Sequence, residues 1–179
     1  MKLRQPTFLL YVGMFILVTG VSVIQSCTQD PADALTEPGL KGGQVVRYDG
    51  SGFHLQMNIP QHPTDSIPAQ TILNENTGEL DINAGDNFGL RVIQESRSVE
   101  QFRQDMQAMS LFSMRIVEET PELLIYQTLL PDGTAHFFHI YATRIINGVP
   151  YTIRSAPESD FTEADVVRMK EALNSLRPL

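Results

Sequence analysis

The sequence predicts an α+β domain, a twisted and mainly antiparallel sheet of about six strands packed with two amphipathic helices. Three observations predict it. Phe53, Leu55, Met57 and Ile59 alternate with His54, Gln56 and Asn58, the period-2 pattern of a half-buried strand. Tight-turn signals recur between apolar runs, as in Asn76-Thr77-Gly78, Pro131-Asp132-Gly133 and Asn147-Gly148, so consecutive strands pair antiparallel. In two segments the apolar period lengthens to three or four residues, which marks two helices.

The elements follow in chain order. Residues 44–48 form a first short strand, and Asp49-Gly50-Ser51-Gly52 turns it into the strand at 53–59, which Pro60 ends. Pro63 and Pro68 keep the next stretch in a loop. Residues 71–74 pair with 79–83 across the Asn76-Thr77-Gly78 turn, and 88–95 follows the Gly85-Asp86-Asn87 bend. Residues 98–109 place Val99, Phe102, Met106 and Met109 on one stripe, and Ser98 with Gln101 has the spacing of a capping box, so a helix covers one sheet face. Its methionines read as core packing rather than as a cofactor groove. Strands are expected at 113–118, 123–130, 136–146 and 151–155. The last helix, 163–176, lines up Val166, Met169, Leu173 and Leu176, is capped by Thr162 with Asp165, and is stopped by Pro178.

The first 42 residues do not belong to that domain. Lys2 and Arg4 precede seventeen uncharged residues, 8–24, and Cys27 comes just after them. Ile24-Gln25-Ser26-Cys27 resembles the lipobox of bacterial lipoproteins, with an aliphatic residue three places before the cysteine and a small one immediately before it. The resemblance implies a signal peptide at 1–26, a diacylglyceryl thioether on Cys27, cleavage before it and acylation of the new amino terminus. Two or more acyl chains give stable anchoring, each buried methylene contributing about 0.8 kcal/mol. An uncleaved membrane anchor and ordinary secretion are the rival readings of the same segment. Residues 27–42, with Pro31, Pro38, Gly39 and Gly42, read as the lipidated cysteine and a flexible tether, and 43–179 as one α+β domain. The expected location is the bacterial cell envelope, with the domain outside the cytoplasm and tied to a membrane through Cys27.

Cys27 is the only cysteine, so no internal disulfide forms and the domain holds by packing alone. Thirteen basic and twenty-one acidic residues give a net charge of −8, and loss of the two basic residues of the signal takes it to −10. That surface repels phosphate backbones, and no basic patch interleaved with aromatics offsets it, which argues against nucleic acid as a partner.

The segments Gly52-Phe53-His54-Leu55-Gln56-Met57-Asn58-Ile59-Pro60, Asn147-Gly148-Val149-Pro150-Tyr151-Thr152-Ile153, and Phe161-Thr162 leading to Leu173-Asn174-Ser175-Leu176, together with the order of elements over 44–176, resemble the PsbP-like superfamily of small extrinsic domains. The resemblance implies an accessory or binding role in an exported compartment, toward an envelope protein or a small ligand. It carries over no active-site residue.

A search for chemistry gives little. The histidines are His54, His62, His136 and His139; His136 and His139, three apart on a strand, point to opposite faces and do not chelate one ion together. His139 shares a face with Phe137 and Tyr141 and reads as a core or boundary histidine. Ser155 or Ser159 meeting His136 or His139, with Asp132 or Asp160 supplying charge, would make a hydrolase, as would a carboxylate pair drawn from Glu118, Glu119 and Glu122 or from Glu158, Asp160, Glu163 and Asp165. The carboxylates read first as turn and cap charges. The segment from Asp81 to Asp86 starts like a calcium loop but lacks the sixth-position glycine and has Val92 where the closing glutamate belongs. No glycine-rich phosphate motif occurs, and no cofactor is expected. The reading is therefore a non-catalytic envelope lipoprotein acting as an accessory or binding module, with an envelope hydrolase as the alternative.

Overall fold

The computed structural model describes residues 37–38, 43–62, 67–109, 113–130, 132 and 136–179. The signal segment, Cys27 and the tether apart from Glu37 and Pro38 lie outside the described residues, as do Pro63 and most of the Pro131-Asp132-Gly133 turn. The elements are β1 (Glu37–Pro38), β2 (Gln44–Gly50), β3 (Phe53–Ile59), β4 (Gln70–Asn74), β5 (Glu79–Asn83), β6 (Gly89–Ile93), α1 (Val99–Ala108), β7 (Ser113–Thr120), β8 (Leu123–Leu129), β9 (His136–Ile146), β10 (Val149–Ser155), α2 (Glu163–Asn174) and β11 (Arg177–Pro178). Among the described residues the fold is α+β, with two helices and antiparallel sheets.

Local chemistry accounts for most of these elements. In β3, Phe53, Leu55, Met57 and Ile59 are buried while His54, Gln56 and Asn58 face outward. The β2–β3 and β9–β10 turns need positive backbone angles, supplied by Ser51 and Gly52 and by Asn147 and Gly148. Both helices start on a complete capping box. Ser98 accepts from the Gln101 N–H while Gln101 reaches back to the Ser98 N–H, and Thr162 and Asp165 do the same for α2.

The sheets differ from the expectation. Instead of one sheet of about six strands, there are two among the described residues, one in the order β1-β2-β3-β11 and one in the order β4-β5-β6-β10-β9-β8-β7. Two features make the difference. Strand β10 pairs with β6 on one side and β9 on the other, bringing the two halves of the chain into one large sheet. Arg177 and Pro178, expected only to stop the last helix, pair with Gln56 and Leu55 at the edge of β3. Helix α2 accordingly ends at Asn174, and Leu176 lies beyond it. Within the expected tether, Glu37 and Pro38 pair with Val45 and Gln44.

One face of the seven-stranded sheet packs on β2, β3 and α2. Its core unites Leu55, Met57 and Ile59 with Leu90, Val92 and Ile153 and with Val166, Met169 and Leu173 of α2. The opposite face carries α1, whose Val99 and Phe102 close over Leu124, Tyr126 and Tyr141. The Phe102 and Tyr141 rings stack at 3.9 Å between centroids. Met109, expected on that stripe, is the C-cap residue and is 56% exposed. Arg168 of α2 is buried, donates from Nε to the Pro60 carbonyl at 2.7 Å and lies over the Phe88 ring, so its guanidinium fastens the helix to the strand ends.

Candidate functional site

Of the serine and histidine candidates, the fold brings one pair together. At the end of β10, Ser155 Oγ lies 3.4 Å from Nδ1 of His139 on β9. The same oxygen accepts the Ile140 backbone N–H at 3.4 Å, and Ser155 is only 5% exposed. The His139 ring stacks on Tyr126 at 5.0 Å. Burial holds its pKa below the ordinary value and outweighs the opposing pull of Asp160, so the imidazole is neutral at neutral pH. The Tyr126 hydroxyl beside it is pushed up to about 12, also by burial, against the charge of Arg154. The pair has the atoms of a nucleophile and a base, but the serine is drawn inward by a backbone donor. Ser159 sits in a turn, its N–H on the Ala156 carbonyl. His136 opens β9, Asp132 is exposed, His62 is half-buried, and exposed His54 pairs with Asp49 at 2.5 Å.

Of the candidate carboxylates, Glu118, Glu119, Glu122, Glu158 and Asp165 are engaged one by one in structural contacts, while those of Asp160 and Glu163 make no ion pair or hydrogen bond among the described residues. Glu118 receives Lys170 Nζ from α2 at 2.7 Å, whereas its neighbour Glu119 faces the other way, toward Arg103 of α1 at 3.2 Å. Glu122 accepts from Arg144 at 3.4 Å, and Asp165 completes the cap of α2. Asp81 holds Arg91 through two bonds of 2.7 and 3.1 Å. Arg91 stands opposite Arg154 in the β6–β10 ladder, and Glu79, which lies 3.5 Å from one guanidinium and 3.4 Å from the other, relieves that like-charge pair. Glu158 approaches Arg91 at 3.5 Å. Among the described residues no group of three or more His, Cys, Asp or Glu is placed to hold a metal ion.

One concavity lies between the N-terminus of α1 and two turns of the large sheet. Two adjoining cavities, of about 220 and 560 Å³, share Ser98 and Pro121. The first runs from Glu95 past Arg144 to Pro150 and Tyr151, and the second lies along Val99, Arg103 and Glu119. Its charged walls are braced internally by the Arg103–Glu119 and Arg144–Glu122 pairs and by Arg97 on Asp105. Ile145, the most exposed of the large apolar residues at 78%, stands on its rim. A further groove, with three carboxamides among its lining residues, lies where the small sheet meets the end of α2. Sequence reasoning missed both, because each is assembled from polar residues that look like ordinary outward positions in their own elements.

No family model matches the chain, and no curated protein or solved structure is significantly similar to it.

Proposed function

We propose that this chain is an envelope lipoprotein anchored through Cys27, whose domain, of the PsbP-like kind, serves as an accessory or binding module outside the cytoplasm. The observation that carries the module reading is the braced cleft at the start of α1. Arg103 with Glu119 and Arg144 with Glu122 are committed to one another, which shapes a charged rim for recognition and leaves Ile145 as an apolar contact at its edge. The anchor reading rests on Ile24-Gln25-Ser26-Cys27 at the end of an uncharged stretch. With the chain tied to a membrane at Cys27, a membrane protein is the occupant proposed for the cleft. A photo-crosslinking residue at position 145 in the full-length protein should give one discrete membrane-protein adduct, which the same residue at exposed position 167 does not give. Equal or absent adducts at both positions count against the reading.

The second reading, a hydrolase, is favoured by the Ser155–His139 contact. It requires turnover by the purified protein that Ser155→Ala abolishes while stability is kept.

A further inference from the structure

A groove of about 440 Å³ lies where β2 and β3 meet the end of α2 and β11, within the range of about 300–1,000 Å³ typical of small-molecule sites. Its polar wall consists of the carboxamides of Gln56, Asn58 and Asn174, the hydroxyl of Ser175 and the guanidinium of Arg177; Val45 and Leu176 add apolar surface. In a chain with twenty-one acidic residues, no acid is among the described residues lining this groove.

Several of these groups retain hydrogen-bonding capacity. Ser175 is saturated, since it accepts the Asn58 N–H at 2.7 Å while its hydroxyl faces the Ala172 and Asn58 carbonyls at 2.6 and 3.1 Å. It fixes the end of α2 against β3. Gln56 gives one amide hydrogen to the Pro178 carbonyl at 3.1 Å and keeps its oxygen. Asn58 Oδ1 is buried against Gly43 with no hydrogen-bond partner among the described residues, an arrangement that native structures seldom leave unexplained. The Asn58 amide lies over Gly43, where even a Cβ would come within 2.8 Å of Oδ1 and 2.6 Å of the Ile59 carbonyl, so the position admits glycine alone. Space at Gly43 thus sets where the Asn58 amide lies.

We propose that this groove binds a neutral, hydroxyl-rich ligand of monosaccharide size. Asn174 presents an acceptor and a donor side by side, the complement of vicinal hydroxyls that both donate and accept, and the Gln56 oxygen adds an acceptor. The aliphatic side chains take the C–H face of such a ring. The C-terminal end of α2 contributes partial negative charge at Asn174 and Ser175, which offsets part of the Arg177 charge, and the guanidinium acts as a donor to hydroxyl oxygens. This gives the binding-module reading a ligand class while resting on the groove alone, independent of the anchor at Cys27.

The test is a titration of the isotope-labelled full-length protein in detergent micelles with glucose, N-acetylglucosamine, glucuronate and glycylglycine, following backbone amide signals. The two neutral sugars should shift Val45, Asn58, Asn174 and Arg177, and Asn174→Ala should weaken them about tenfold, the loss of one well-made hydrogen bond. Asn58→Leu should abolish the shifts; if that variant does not fold, Asn174→Ala, at an exposed helix end, decides the matter alone. Absence of shifts with either neutral sugar, unchanged affinity in Asn174→Ala, or preference for glucuronate or the dipeptide overturns the proposal. The mass of the Cys27-bearing terminus is unaffected by any of these results, so failure here is separable from failure of the anchor.

Discussion

Burial holds the imidazole of His139 below its ordinary value of 6.5, against the charge of Asp160. Between 6.5 and the lower folded value, the unfolded chain binds a proton that the folded chain does not. Stability from this group is therefore complete above 6.5 and is lost as pH falls through the folded value. The urea midpoint should decline with acidity below about pH 6.5, and His139→Gln should flatten that decline; an unchanged slope in the variant removes His139 as its source. Asp81 offers a second test at this scale. Asp81→Ala leaves Arg91 facing Arg154 with its remaining carboxylates, Glu79 and Glu158, at 3.5 Å, and should lower stability by about 2 kcal/mol in chemical denaturation. The encounter of Ser155 with His139 was among the combinations legible in the sequence, because both lie in a predicted hairpin. The backbone N–H that takes up Ser155 was not, since it depends on how β10 ends.

The elements themselves were largely written in local pattern. Strand β3 has the expected bounds, Phe53 to Ile59, and both capping boxes form where Ser98 with Gln101 and Thr162 with Asp165 announced them. Helix α1 rests on a small cluster separate from the main core, centred on Phe102 and Tyr141. Ser98→Ala should accordingly remove about 1 kcal/mol, read as a shift of the denaturant midpoint. Phe102→Ala, at about 3–5 kcal/mol for a buried aromatic, should raise hydrogen exchange in α1 far more than in β5 or β6, whose side chains belong to the other core. Uniform acceleration across the sheet contradicts that separation. Strand β7 edges the large sheet with a bulge between Ile116 and Glu118 and charges at Arg115, Glu118 and Glu119, which explains how Ile116 and Val117 are tolerated in an exposed position. Helix α2 ended early for a reason no window of sequence contains: the Ser175 hydroxyl is taken by Asn58, 117 positions away.

At the scale of the molecule, the sequence pattern gave hairpins but not their neighbours. The junction of β6 with β10 crosses α1 and three strands, and β11 is two residues with no periodicity of their own, so neither the second sheet nor the groove beside it has a local signature. The carboxamide groove joins residues 45–58 to residues 174–177 through that same long-range closure. The N-terminal assignment is different in kind, because it is carried by a short contiguous motif and an uncharged stretch before it. Cys27 lies outside the periodic apolar pattern of every core element, so Cys27→Ala should abolish lipid attachment while leaving the folded domain intact, as judged by an unchanged thermal midpoint.

The central claim is tested most directly by the intact mass of the wild-type protein extracted from membranes. The account predicts loss of residues 1–26 and a chain beginning at Cys27 with added hydrophobic mass on its thiol and amino group. A dominant species running unmodified from Met1 to Leu179, or one cleaved but without lipid, contradicts it.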